Sequence, residues 1–226
     1  MRGRISSVHC LRAGFGLTAG AGGAGGYTSE LAAQVASELF AITDTKLAEV
    51  DYLILCTQTP DYRLPTTACL VQSQIGLSSS VGAIDLAGGV PSFVFALALA
   101  QGLISTDQAH RILIITADTD ASSGSASAVL VAADPDREGV DGFAFGSEGD
   151  SAANLDTVLT ASGLDWVAPE VVLIAHPRVQ RPDYSSSTLP IALSDALGEG
   201  RVSRGDKLVL LGSDAAGSWA GAMVTW

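Results

Sequence analysis

The turn that joins a predicted strand to a predicted buried helix, residues 86–93 (LAGGVPSF), is where this chain has the setting for covalent chemistry. Gly88-Gly89 break the strand, and Pro91 suits the first turn of a helix because its φ is fixed and it has no N–H to leave unpaired. Many α/β enzymes place a nucleophile in such a turn, because free N–H groups and the positive end of the helix dipole point there. At that place this turn offers only Val90.

The other reactive side chains show no pattern of a metal or redox site. Cys10, Cys56 and Cys69 have no CxxC spacing, which indicates reduced thiols in a cytoplasmic protein. We interpret Cys69 as a small core residue within a helix. His9 and His110 flank apolar strands without metal-ligand spacing. We therefore expect neither a bound metal nor a cofactor.

A glycine run, GAGGAGG at residues 20–26, raises the question of a phosphate-binding loop. A dinucleotide site needs a strand, a GxGxxG turn, a helix and a downstream acidic residue, and this context is missing. We interpret the run as a flexible loop. Thr28 or Ser29 is then expected to cap a helix over residues 30–40.

Buried elements must position the turn at residues 86–93. Residues 93–100 are apolar on every face, which indicates a helix covered on all sides by protein. Residues 111–117 form a β-branched run typical of a parallel strand covered on both faces. Shorter patterns predict the remaining strands at residues 5–11, 51–57, 83–86, 125–133, 170–176 and 206–214, an edge strand at 218–226, and helices at 66–75, ending at Gly76, and 189–197.

Two segments of the second half repeat segments of the first. EVVLIAH (170–176) is similar to DYLILCT (51–57), and DKLVLLGSD (206–214) is similar to HRILIITAD (110–118). Each pair frames a helix, which indicates an internal duplication. Two strand–helix–strand units of this kind would place two buried helices between two sheets of an α/β protein.

Composition excludes several classes of function. The chain has 226 residues, of which 47% are hydrophobic and 16% charged, enough for a large core. Its net charge of −12 argues against nucleic acid and anionic membranes as partners. We find no signal peptide, and the longest apolar stretch, broken at Gln101-Gly102, is too short for a membrane span. These features predict a cytoplasmic protein.

Four blocks of the sequence, in this order, resemble ketoacyl-ACP synthase III of the thiolase superfamily. They are VDYLILCTQTPDYRLPTTACLVQSQIGL, AIDLAGGVPSF, RILIITAD and GDKLVLLGSDAAGSWAGAMVTW. The resemblance implies a layered αβαβα fold made of two duplicated βαβ halves, residues 1–133 and 134–226, that form one compact unit. It also implies a shortened chain, because the family's N-terminal region for CoA and a helix and strand after His176 have no counterpart.

The resemblance places the family's catalytic positions on this sequence. Val90 stands where the family has its acyl-accepting cysteine, and His176 matches the family's histidine. The block RPDYSSSTLPIAL is similar to GNTSAASVPxAL, which puts Asp183 or one of its neighbours at the family's asparagine, although the block contains no asparagine. The glycine-rich turn that supplies an oxyanion-hole N–H corresponds to residues 214–217, so Ala215 and Ala216, with Gly89, are the implied substrate-binding positions.

Two functions from different classes follow. An isopropyl group cannot accept an acyl chain, so Val90 excludes the family's standard condensation and favours a non-catalytic partner subunit. The alternative is an acyltransferase or thioesterase-like enzyme acting on acyl-CoA or acyl carrier protein through His176 and Asp183, with or without Ser92 as a displaced nucleophile. Ser92 can equally be a helix N-terminal hydroxyl that satisfies the backbone, and His176 a structural remnant.

The resemblance also implies dimerisation. Family members pair an edge strand of the central sheet across a two-fold axis, and residues 111–117 are the expected strand. The partner would be a second copy of the chain or a cysteine-bearing ketosynthase homologue.

Overall fold

The computed structural model describes residues 1–12, 26–119, 124–134, 139–147, 171–175, 185–214 and 216–226. A five-stranded sheet lies in the first half of the chain. Its strands are β1 (Arg2–Arg12), β2 (Tyr52–Cys56), β3 (Gly82–Leu86), β4 (Arg111–Thr119) and β5 (Gly124–Asp134). They lie in the order β1-β5-β4-β2-β3; β2, β3 and β4 are parallel, and β5 runs antiparallel to both β4 and β1.

A four-stranded sheet in the second half repeats this arrangement. Its strands are β6 (Val140–Gly146), β7 (Val171–Ala175), β8 (Lys207–Ser213) and β9 (Trp219–Thr225). Their order, β6-β9-β8-β7, and their directions match those of β1-β5-β4-β2. The internal duplication expected from the sequence is confirmed.

The described helices separate the two sheets and cover the outer face of the first. The helices are α1 (Thr28–Ile42), α2 (Thr67–Ile75), α3 (Ser92–Ser105) and α4 (Thr188–Gly198), with a short 3₁₀ turn at Leu47–Glu49. Alternation along β4 shows the layering: Ile112 and Ile114 pack with α3 and α4 between the sheets, whereas Leu113 and Ile115 pack under α1 and α2. Burial of both faces explains the continuous apolar run of this strand.

Two strand positions differ from the sequence expectation. The predicted dimer strand, residues 111–117, is not at an edge, because β4 lies between β2 and β5. The C-terminal strand is also internal, because β6, which the sequence pattern did not reveal, pairs with β9. Among the described strands, β3 is the one at the parallel edge of the first sheet.

Three local expectations also need correction. Cys69 is exposed on α2 rather than part of the core. The helix α1 begins at Thr28, so neither Thr28 nor Ser29 caps it, and the Thr28 hydroxyl donates instead to the Thr59 carbonyl at 2.6 Å. One face of α3, containing Phe95 and Leu99, is only partly buried. The predicted end of α2 is confirmed, with Gly76 at a φ of 77°.

Candidate functional site

The turn between β3 and α3 has the geometry expected of a nucleophile position. Gly89 adopts a φ of 57°, a conformation that favours glycine, and Pro91 precedes the first residue of α3, Ser92. The Ser92 hydroxyl donates to the Gly89 carbonyl at 2.5 Å, and Ser92 is completely buried. This contact agrees with the interpretation of Ser92 as a hydroxyl that satisfies the backbone at the helix start.

Val90, at the head of α3, is completely buried and belongs to the core that both sheets share. A Cβ added to Gly212, on β8, would lie 3.1 Å from Val90 Cγ1 and 3.0 Å from Leu189 Cδ1. Leu189 is in the first turn of α4. The N-terminal ends of α3 and α4, one from each half of the chain, therefore converge at Gly212.

Gly212→Ala is expected to lower the free energy of unfolding by about 1–3 kcal/mol, because overpacking a filled core forces side chains and backbone to shift. The added methyl would also lie 3.1 Å from the Val90 carbonyl oxygen, which cannot rotate away as a side chain can. Urea denaturation of both proteins measures the difference. Gly198→Ala is the control, since nothing lies within 4 Å of a Cβ there, and equal stability of the two variants would contradict the contact.

Cys56 is a thiol in direct contact with the start of α3. Its Sγ donates to the Ser92 carbonyl at 3.4 Å, and the side chain is completely buried. Burial raises the pKa of the Cys56 thiol to about 12; the hydrogen bond to the Ser92 carbonyl offsets part of the rise, and the charge of Asp118 adds a smaller part of it. Cys56 is therefore a neutral core thiol rather than a nucleophile.

Asp118, at the carboxyl end of β4, joins the two halves of the chain. One carboxylate oxygen accepts hydrogen bonds from the Gln58 N–H at 2.6 Å and the Thr57 hydroxyl at 3.3 Å. The other accepts from the Ser186 N–H at 2.7 Å. The sequence analysis did not single out Asp118. A lone acidic residue at the end of a buried parallel strand could have indicated that it binds neighbouring loops, because the carboxyl ends of parallel strands lie together at one edge of the sheet.

A network of buried hydroxyl groups lies beside Asp118, at the start of α4. The Thr116 hydroxyl donates to Ser187 Oγ at 2.8 Å and is 2.7 Å from Ser127 Oγ. Ser125 Oγ and Ser185 Oγ are 2.6 Å apart. These hydrogen bonds hold the residues that lead into α4 against the inner face of β4 and β5.

The predicted site residues fall into two groups. His176, Asp183 and Ala215 lie outside the described residues. Ala216 is described, and its N–H donates to Asp214 Oδ1 at 2.9 Å within the turn that precedes β9. Val90, Gly89 and Ser92 lie together at the head of α3.

The chain matches known proteins over most of its length. It is 25% identical over 274 aligned residues to beta-ketoacyl-acyl-carrier-protein synthase III 2 of Halalkalibacterium halodurans, covering 88% of this chain and 82% of that protein. A solved structure of a 3-oxoacyl-acyl-carrier-protein synthase III superposes with a TM-score of 0.84 at 23% identity, over 100% of each chain. The chain is a ketoacyl-ACP-synthase-III-like protein of the thiolase superfamily.

A second solved structure has the same fold as this synthase-III-like chain. The 3-oxoacyl-acyl-carrier-protein synthase III of Aquifex aeolicus superposes with a TM-score of 0.76 at 22% identity, over 88% of this chain and 85% of that one. No protein-family model matches. The thiolase-like fold expected from the sequence is confirmed, and it is the fold of both of these synthase III structures.

Membrane-spanning helices and metal-binding clusters are both absent from the described part of this synthase-III-like chain. None of its helices there has the length and apolar character to cross a membrane. No group of three or more His, Cys, Asp or Glu residues there has the arrangement to hold a metal ion.

Proposed function

We propose that this chain is a non-condensing subunit that pairs with a cysteine-bearing ketosynthase homologue in fatty-acid or polyketide-type biosynthesis. The observation that carries the proposal is Val90, an isopropyl group buried at the head of α3 where the resemblance puts the acyl-accepting cysteine. Condensation of this kind needs a thiolate at that position. None of the three cysteines stands at that position: Cys56 is a neutral core thiol, Cys69 is exposed on α2, and the Cys10 thiol on β1 donates to the Pro190 carbonyl in the first turn of α4.

The open edge of the first sheet supports pairing with a second chain. The Gly82 N–H donates to the Asp51 carbonyl and the Thr57 N–H donates to the Leu86 carbonyl, so both residues of β3 direct these groups toward β2. Backbone groups alternate along a strand, and Ala83 and Asp85 therefore direct theirs away from the sheet. These groups have no partner among the described residues, and such a row is a template for another strand.

No charged side chain of β3 is left to protect this edge. The Asp85 carboxylate accepts hydrogen bonds from the N–H groups of Thr67 and Ala68, at 2.8 and 2.7 Å, so its charge stabilises the start of α2. Natural sheet edges that stay unpaired are usually guarded by charge, proline or a bulge. The edge of β3 is therefore better suited to pairing with a strand of a partner chain than to exposure to solvent.

Apolar side chains are also accessible on the elements around the first turn of α3. Ile84 and Leu86 on β3 and Phe95 and Leu99 on α3 are only partly buried. Phe145 on β6 is 46% exposed and stacks on Phe95 with ring centroids 5.0 Å apart. An obligate interface on this side would bury a total of about 2,000 Å² or more.

Co-purification from the native host tests the proposal directly. Tagged chain is isolated at low salt, and the bound protein is identified by mass spectrometry. We expect a near-stoichiometric homologue with a cysteine at the head of its buried helix. A pure homodimer with no such homologue, from cells that express one, would contradict the partner-subunit function while leaving pairing intact.

A further inference from the structure

The second sheet ends at β7, which among the described strands is paired on one side only, with β8. In the first sheet β2, whose sequence β7 repeats, lies between β4 and β3. Val171 lies opposite Leu208 in the second sheet. The matching residue of the first half, Tyr52, lies opposite Ile112, so the two pairings share one register. The described strands of the second half thus include a counterpart of β4 but none of β3.

The chain that follows β7 is too short to supply the missing strand. Only residues 176–184 separate β7 from Ser185, which precedes α4. A crossover connection between two parallel strands takes about a dozen or more residues before the second strand begins. In the first half the connection from β2 to β3 runs over residues 57–81 and contains α2. This segment therefore leaves open the edge of β7 that corresponds to the β3 side of β2.

β7 also lacks the features that protect other edges of the two sheets. β1 has a register shift between Ile5 and Ser7 and contains three arginines, and β6 has a register shift between Val140 and Gly142. β7, with the sequence VVLIA, pairs with β8 without interruption and has neither a charged residue nor a proline. Bulges, charges and prolines keep natural edge strands from pairing, so the edge of β7 is able to accept another strand.

The duplication identifies the backbone groups on this edge. In the first sheet the Thr57 N–H donates to the Leu86 carbonyl of β3. Backbone groups alternate along a strand, so Leu53, which has the same parity as Thr57, also directs its N–H and C=O toward β3. Val172 matches Leu53 and therefore directs these groups away from β8. Leu173, the next residue, directs its own toward β8.

Assembly and charge indicate what kind of segment binds there. A second self-pairing edge, added to the pairing through β3, would link copies of the chain into an open filament, whereas a segment of a different protein ends the assembly. The net charge of −12 attracts lysine and arginine in such a segment. Leu173 lies in the core that both sheets share, so a strand beside it needs apolar side chains.

We propose that β7 binds an extended apolar segment of another protein, flanked by basic residues, in the place that β3 has beside β2. The choice of a different protein over a second copy rests on the pairing through β3 proposed above. The open edge of β7 does not depend on that pairing.

A labelled peptide tests this edge in the full chain. The probe is fluorescein-labelled KKGAIVLKK, which contains the GAIDL sequence of β3 with valine in place of its aspartate. We expect a saturable rise in fluorescence anisotropy when the protein is added. The peptide EEGAIVLEE should bind about tenfold more weakly at low ionic strength, and the difference should shrink as salt is added.

Two methylated peptides separate strand pairing from adsorption to an apolar surface. Gly82 directs its N–H toward β2, so Ile84 and Leu86, with the same parity, do so too. Methyl groups on the backbone nitrogens of isoleucine and leucine in the peptide should therefore weaken binding about tenfold or more, because hydrogen bonds to β7 are lost. Methyl groups on those of alanine and valine should leave binding unchanged. Equal affinities of the two methylated peptides would overturn the proposal.

Proline variants locate the binding edge on the protein. Val172→Pro removes an outward N–H only, so the circular dichroism spectrum should remain that of wild type, while KKGAIVLKK binds about tenfold more weakly. Leu173→Pro is the matched control: it removes an N–H directed toward β8 and should destabilise the fold itself.

Three further results would overturn the proposal. They are no saturable anisotropy change with wild type, unchanged binding by a folded Val172→Pro variant, and loss of binding in Ala83→Pro but not in Val172→Pro, which would place the peptide on β3. If Val172→Pro does not fold, the two methylated peptides decide. Pairing of whole chains through β3 is measured separately, by sedimentation.

Discussion

Intact-mass spectra of the isolated chain are expected to show no acyl adduct after incubation with short- or medium-chain acyl-CoA. The reason is that Val90 has no nucleophilic atom, and the thiol next to the turn, Cys56, is buried with its pKa raised to about 12. A cysteine-bearing homologue treated in parallel is the positive control. A stable adduct on any residue of this chain would contradict the non-condensing function, and peptide mapping would identify the residue.

Val90→Cys is expected to leave condensation undetectable. The new thiol would be enclosed by Gly212 and Leu189, and the block that carries the family's asparagine has none in this sequence. Groups that act together in catalysis are not restored one at a time. Product formation from malonyl and acyl thioesters is the measurement, and turnover well above that of wild type would show that the rest of the machinery is intact.

Ala83→Pro is expected to convert a dimer into a folded monomer. The Ala83 N–H points away from β2, so proline there removes a group available to a partner without breaking a bond inside the sheet. Sedimentation velocity at micromolar concentration measures the change. The circular dichroism spectrum should remain that of wild type.

Ile84→Pro is the matched control for this edge. Ile84 has the same parity as Gly82 and Leu86 and directs its N–H toward β2, so proline there should destabilise the fold itself. A wild-type chain that stays monomeric and folded, alone or mixed with a homologue, would contradict pairing through β3. So would an Ala83→Pro variant that still dimerises.

Local patterns predicted the elements well, but not the order of strands in the sheet. The apolar run of β4 indicated burial on both faces, which the structure confirms with Leu113 and Ile114 in different layers. That run does not identify both neighbours of β4, because β5 follows it directly in the chain, whereas β2, on its other side, pairs with it across 60 positions, with Tyr52 opposite Ile112. β6 escaped prediction because VDGFAFG is short and interrupted by glycine.

The site was predictable only in part, for the same physical reason. The glycine turn with Val90 follows from local chain geometry and was expected from the sequence. The bond between Asp118 and Ser186 joins residues 68 positions apart, and no local pattern encodes it. Gly212 likewise gave no signal, since its role as the meeting point of α3 and α4 depends on packing between the halves.

The burial of Val90 in the core shared by both sheets makes the size and shape of this side chain matter for stability. At this position selection can act on packing, and a change to cysteine would remove about one methyl group of buried surface, worth about 1 kcal/mol. Each substitution that fits the neighbouring side chains more closely to valine raises that cost. Relatives that keep the same packing around position 90 should therefore vary among aliphatic residues there far more readily than they acquire a thiol.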